Sequence, residues 1–215
     1  MISKAKYIRS AKGLRSAINY ILNEEKTTIP GSGASTVLSY KCRHRKEKTV
    51  LDFSLFLEEG RKRSVVRDSR ELYGVHYILS FAIEDWHSGR VTIDLAKEIA
   101  IKFIERLTGG NFKNGGGYQY ILAVHLDKPH LHVHVILNPV VLDTLDRRNY
   151  LNMQHPAALF AKRKKVKDQL VKEYGLIDAE KVGTYRKEFK EFEREQREIE
   201  RELEGELEEI EKLDE

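Results

Sequence analysis

The sequence predicts an α+β domain: a largely antiparallel central sheet with helices packed mainly on one face, extended by a charged C-terminal helix. Short runs rich in β-branched and aromatic residues, near 4–9, 75–83, 118–126 and 131–138, read as strands. Between them, apolar residues recur at helical spacing. The last two strands are joined by a polar turn around Asp127, Lys128 and Pro129, so they pair as an antiparallel hairpin.

The chain's 215 residues suffice for one ordinary domain and an appendage. No apolar run approaches the roughly 20 residues of a membrane span. The N-terminus lacks the apolar core of a signal peptide, so a cytoplasmic location is expected. Cys42 is the only cysteine, which excludes an intrachain disulfide and a thiolate-cluster metal site. The net charge of +4 understates the body: residues 186–215 hold 7 Lys+Arg against 14 Asp+Glu, leaving 31 basic and 20 acidic residues in 1–185, a net +11. So basic a body favours a polyanionic partner, most commonly nucleic acid.

In chain order, residues 4–9 form the first strand. Leu14, Ala17, Ile18, Ile21 and Leu22 then give an amphipathic helix over about 10–23. At about 100° per residue, Tyr20 falls off that apolar stripe, so its phenol is free to face something outside the core. Most exposed tyrosines have no chemical task. Residues 26–50, broken by Pro30, Gly31 and Gly33, read as a basic loop containing Lys41, Arg43 and Arg45. A short helix near 52–59 follows, then a second basic run with Arg61, Lys62 and Arg63. Residues 74–83 form a strand and 85–90 a turn. Thr92 caps a helix over 92–108. With the 52–59 helix, it is expected to cover the sheet face away from the histidines described next. The glycine-rich loop 109–117 lacks a GxxxxGK[ST] pattern and is no nucleotide cradle.

The hairpin at 120–140, YILAVHLDKPHLHVHVILNPV, holds His125, His130, His132 and His134. Strand alternation sends His132 and His134 to one face and Val133, Val135 and Leu137 to the other. His125 can meet the first pair across the turn. Converging imidazoles suit a divalent metal with open coordination positions. A single strand histidine is ordinarily a core or surface residue, but half of the chain's 8 histidines fall in this hairpin. The basic runs flanking it are ordinarily solvated faces; beside such a site they suggest phosphate contacts.

Beyond it come Arg147 and Arg148 at a turn, and a helix over 156–175 whose basic face, KRKK at 162–165, includes Lys162 and Arg163. Composition shifts near Thr184, dividing the chain into a domain over 1–183 and a charged helical or coiled-coil tail over 184–215. Dimerisation through the tail and folding back onto the body are both open.

The run His125-x-Asp127-x-x-His130-x-His132-x-His134-x-x-x-Asn138 resembles the third motif of the relaxase/mobilization nuclease family, the HUH endonucleases of conjugative and mobilizable elements. AINYILNEEKT resembles the first motif, a helical tyrosine followed by Lys-Thr. GVHYILSF, ending in Ser80-Phe81, resembles the second; YKCR and LVKEYGL resemble flanking segments. The similarity spans roughly 1–180 in consistent order. Where family members often carry a Pro-Gly-Glu-like turn after Ser-Phe, this chain has AIEDW.

The resemblance implies an HUH endonuclease-like fold and a DNA relaxase, nicking origin-of-transfer DNA with site and strand specificity in plasmid or integrative-element mobilization. It implies Tyr20 as the nucleophile, giving a covalent 5′-phosphotyrosyl strand, with Tyr7 and Tyr40 as the next candidates. His125, His132 and His134 would bind a divalent ion, Mg or Mn. Asp127 would orient a ligand histidine or help take the proton; His130, Ser80 and Asn138 would stand near the ligands or touch DNA. The implied partners are single-stranded DNA and accessory mobilization proteins, with no membrane. Alternatives are a rolling-circle replication initiator or transposase, and a non-catalytic, metal-stapled DNA-binding module. Because neutral imidazoles bind the metal, activity is expected to fall as pH drops below about 6.

Overall fold

The structure is a computed structural model that describes residues 1–40, 46–63, 72–108, 118–139, 156–180 and 194; the side chains of 46, 47, 56, 59–63 and 156–160 lie outside the described set. The chain divides into two compact units, Met1–Ile177 and Asp178–Glu215. The expected tail over 184–215 lies outside the described residues apart from Arg194. Among the described residues, no helix is long and apolar enough to cross a membrane.

In the first unit, β1 (Ile2–Ile8) leads into α1 (Ala11–Ile21), where the Ser10 Oγ accepts from the Gly13 N–H at 3.0 Å and caps the first turn. Asn23 caps the short α2 (Glu24–Thr27) in the same way, through Glu25. Then come β2 (Val37–Tyr40), α3 (Lys46–Arg63), β3 (Gly74–Ser80), α4 (Ile83–His87), α5 (Ile93–Thr108), β4 (Tyr120–His125), β5 (His132–Leu137) and α6 (Pro156–Glu173). As expected, the Thr92 Oγ1 accepts from the Leu95 N–H at the start of α5. The fold is α+β: one five-stranded sheet in the order β1-β3-β5-β4-β2, with every neighbouring pair antiparallel. β2 lies within the stretch read from sequence as a basic loop; it is a four-residue edge strand whose side chains are all half-buried. Such a strand shows no alternation to detect. α4 replaces part of the expected turn at 85–90.

Each sheet face has its own core. Val75, Tyr77 and Leu79 of β3, Leu122 and Val124 of β4, and Val133, Val135 and Leu137 of β5 pack against α5 and against Val166 and Leu170 of α6. On the other face, Ile121, Ala123 and Ile136 pack under Leu14, Ile18 and Ile21 of α1 and Phe53 and Leu57 of α3. The helix expected over 92–108 therefore does cover the face away from the histidines. The 52–59 segment does not: Phe53 and Leu57 seat α3 on the histidine face. Ile121, Ala123 and Ile136 give that face an apolar surface, and Phe53 and Leu57 join α1 in covering it. Helices thus stand on both sides of the sheet.

Asn138 secures this arrangement. Fully buried, it donates from its backbone N–H to the Gln119 carbonyl at 2.8 Å, and from Nδ2 to Gln119 Oε1 at 2.8 Å and the Phe53 carbonyl at 3.2 Å. Its amide therefore ties α3 to the sheet. Asn138→Ala removes both side-chain donations from a dry site and is expected to destabilise the chain by about 2 kcal/mol. Urea denaturation measures this, and an unchanged midpoint contradicts the clamp.

Candidate metal centre

The hairpin register builds the site. β4 and β5 pair His125 with His132 and Ala123 with His134, while β3 sets Ser80 beside His132 and Ile78 beside His134. His125, His132 and His134 therefore project from one face, fully buried, with ring centroids 4.3 to 5.3 Å apart. One ligand atom from each lies within 4.8 Å of the others. From the far end of the chain, α1 carries Tyr20 over this group. Leu14, Ile18 and Ile21 are the residues α1 buries, and the half-buried Tyr20 ring sits 5.4 Å from both the His125 and the His134 rings. Tyr7 and Tyr40 pack at the margin of the opposite core, away from the histidines.

Each of the three imidazoles has one ring nitrogen engaged. His125 Nε2 lies 3.1 Å from the Ile21 carbonyl, His132 Nδ1 lies 3.3 Å from the His130 carbonyl, and His134 Nδ1 lies 2.9 Å from His76 Nε2. A carbonyl only accepts, so His125 and His132 donate through those nitrogens, leaving a lone pair on His125 Nδ1 and His132 Nε2. Among the described residues, neither His125 Nδ1 nor His134 Nε2 has a hydrogen-bond partner despite full burial, an arrangement proteins ordinarily avoid. His132 Nε2 faces Asp127 Oδ1 at 3.5 Å, lone pair towards carboxylate. A cation among these atoms would satisfy all of them. The residues fit a three-histidine divalent site oriented by outer contacts.

Electrostatics agree. Burial pushes His125 down to about 4, against the pull of the Ile21 carbonyl and Asp127. Burial and then His125 push His132 down to about 3, and the same pressures hold His134 well below its ordinary value. Burial, Lys6 and His125 push His76 down to about 3. The imidazoles therefore stay neutral through mild acid, and protonation of these histidines sets in well below pH 6. Burial opposes the charge on Asp127, yet His132, Lys26 and His125 together hold its carboxyl below the ordinary value. Lys26 Nζ lies 3.3 Å from Asp127 Oδ2 and 4.4 Å from the centre of the Tyr20 ring, joining carboxylate to phenol. The Leu126 N–H donates to the Lys26 carbonyl at 2.9 Å and pins α2 to the end of β4.

The other expected residues fall in several places. His130 is half-buried, with its ring 5.4 Å from that of His132 and its carbonyl 3.3 Å from His132 Nδ1. Ser80 is buried on the histidine face. Lys162 and Arg163 lie on α6, which packs on the opposite face, so they do not join the histidine surface. Lys41, Arg43, Arg45, Arg147 and Arg148 lie outside the described residues, as do the side chains of Arg61, Lys62 and Arg63. His76 and Lys26 were not anticipated as site residues. His76 shares a strand face with Ile78 and Ser80, so the register of β3 against β5 would have disclosed it. Lys26 is the lysine of the Lys-Thr in the first motif.

Residues 20–176 match the relaxase family described as MobA/VirD2-like, nuclease domain. "Protein rlx" of Staphylococcus aureus is 27% identical over 155 residues, covering 71% of this chain and 43% of that protein. The chain thus spans less than half the length of this curated relative. Among solved structures, a conjugative relaxase TrwC in complex with oriT DNA, in metal-bound form, is similar at a TM-score of 0.43 and 13% identity, over 81% of this chain and 70% of that one.

Because the buried histidines bind fewer protons folded than unfolded, stability is full above about pH 6.5 and is lost as pH falls towards the folded values near 3 to 4. Each such histidine contributes on the order of 1.4 kcal/mol per pH unit within that window. Melting of metal-free protein is therefore expected to fall steeply between pH 6.5 and 5. A flat melting temperature over that range contradicts neutral, buried imidazoles.

Proposed function

The chain belongs to the relaxase family of MobA/VirD2-like nuclease domains, and from that membership we propose that it nicks one DNA strand at an origin of transfer by tyrosine transesterification, in mobilization of a plasmid or integrative element. The observation that carries this reading is the Tyr20 ring, held 5.4 Å from the rings of both His125 and His134. A nucleophile and a metal-binding group meet on one face although more than a hundred residues separate them.

His125, His132 and His134 would hold the ion, Mg or Mn in the first place. When bound, it supplies Lewis-acid stabilisation of the charge that develops on the scissile phosphate. The Tyr20 phenolic oxygen forms a bond to phosphorus while the sugar 3′-oxygen leaves, giving a 5′-phosphotyrosyl strand and, after protonation, a free 3′-hydroxyl. One phosphodiester replaces another, so no ATP is needed and the step can reverse to rejoin ends. An unperturbed tyrosine loses its proton only near pH 10. Lys26, over the ring, favours the developing phenolate and balances Asp127. Asp127 approaches His132 at Nε2, the nitrogen offered to the ion, at 3.5 Å, so this carboxylate would act beside the ion and help take the phenol proton rather than orient the ring from its other nitrogen. Single-stranded DNA is the partner that the net +11 of residues 1–185 favours. Phosphate contacts are proposed for Lys41, Arg43, Arg45, Arg61, Lys62, Arg63, Arg147 and Arg148. Lys162 and Arg163 would touch only DNA that passes round to the other side of the sheet.

Incubation with oligonucleotides carrying the cognate origin, with Mn²⁺ or Mg²⁺, is expected to give a covalent protein–DNA adduct visible on a denaturing gel. Tyr20→Phe is expected to lower its yield at least a thousandfold. No adduct from native protein would sink the enzyme reading; an adduct that persists in Tyr20→Phe would sink only the nucleophile assignment.

A further inference from the structure

The contacts that orient the three ligand histidines differ in kind. Those to His125 and His132 come from backbone carbonyls, which cannot donate, so each fixes the proton of its partner. The contact to His134 comes from a second imidazole. His76 Nε2 and His134 Nδ1 lie 2.9 Å apart, both rings buried, with centroids 5.1 Å apart. Either ring can donate. A neutral His134 that accepts at Nδ1 carries its own proton on Nε2 and has no lone pair to offer a metal. One that donates from Nδ1 presents Nε2, a buried atom with no hydrogen-bond partner among the described residues. The tautomer of His76 therefore decides between a two-nitrogen and a three-nitrogen centre.

We propose that His76 is a positioning residue that accepts the Nδ1 proton of His134 and thereby commits His134 to metal ligation. The register of the sheet makes this possible: β3 pairs His76 with Ile136 and Ile78 with His134, so His76 reaches His134 diagonally on the shared face. As a neutral acceptor, His76 orients His134 without adding negative charge. It therefore leaves the bound ion more electrophilic than a carboxylate in the same place would. This assignment rests on the metal reading of the site.

The test compares the wild-type chain, His76→Leu and His76→Gln, the last placing an acceptor oxygen close to the position of the lost Nε2. Titration calorimetry with Mn²⁺ is expected to show binding weakened 10- to 100-fold, the range usual for lost outer contacts, in His76→Leu. In His76→Gln it should stay within about threefold of wild type. Long-range ¹H–¹⁵N spectra of the metal-free proteins are expected to place the His134 proton on Nδ1 in wild type and His76→Gln, and on Nε2 in His76→Leu. A purely structural role would alter melting temperature without moving that proton. Wild-type affinity in His76→Leu overturns the inference alone, as does a wild-type His134 protonated on Nε2. A wild-type chain that binds no Mn²⁺ overturns the metal reading and this inference with it. Should His76→Leu fail to fold, the wild-type spectrum and His76→Gln still decide.

Discussion

The pairing of His125 with His132 across the β4–β5 hairpin governs everything at the site, because strand side chains alternate with a period of two. A slip of one residue in β5 would turn His132 and His134 into the α5 core and bring Val133 and Val135 to the Tyr20 side. Several independent features resist that slip. At the far end of the hairpin, Asn138 holds Gln119 through backbone and side chain. Along the other edge of β5, β3 sets Ser80 against His132 and Leu79 against Val133. Beneath the sheet, Val133, Val135 and Leu137 fill the larger core. Packing of the face away from the chemistry is what aims the histidines.

The same burial sets the chemistry. Dry surroundings keep the imidazoles neutral, which metal ligation requires, and they magnify every charge placed nearby. They also leave His125 Nδ1 and His134 Nε2 buried with no hydrogen-bond partner among the described residues. The group is therefore poorly satisfied by protein atoms alone and is suited to a cation. Lys26 and Asp127 stand at its rim, their side chains 17% and 23% exposed, where the phenol of Tyr20 and a phosphate from solvent could both reach them.

Much of this was legible from residues alone, wherever the signal was local. Period-two alternation over 120–140 gave the hairpin and the shared face of His132 and His134. The angular arithmetic of α1 set Tyr20 apart from Leu14, Ile18 and Ile21, and Thr92 announced its helix. What escaped was non-local. His76 meets His134 across 58 positions of sequence, through a strand register that no spacing in the chain displays. The side taken by α3 depends on where Ile121, Ala123 and Ile136 remain uncovered. Asn138 follows the histidines in a motif, but that its amide reaches the Phe53 carbonyl, 85 positions away, shows only in the fold. The basic face of α6 was visible as KRKK, whereas its place on the opposite side of the sheet was set by Val166 and Leu170.

The central claim is that one ion binds at the meeting point of three histidines under Tyr20. Anomalous diffraction from crystals soaked in Mn²⁺ tests it most directly. The expected result is a single strong peak at roughly 2.1 Å, an ordinary metal–nitrogen bond length, from His125 Nδ1, His132 Nε2 and His134 Nε2. A peak bonded elsewhere, or none among these rings at saturating Mn²⁺, would contradict the account.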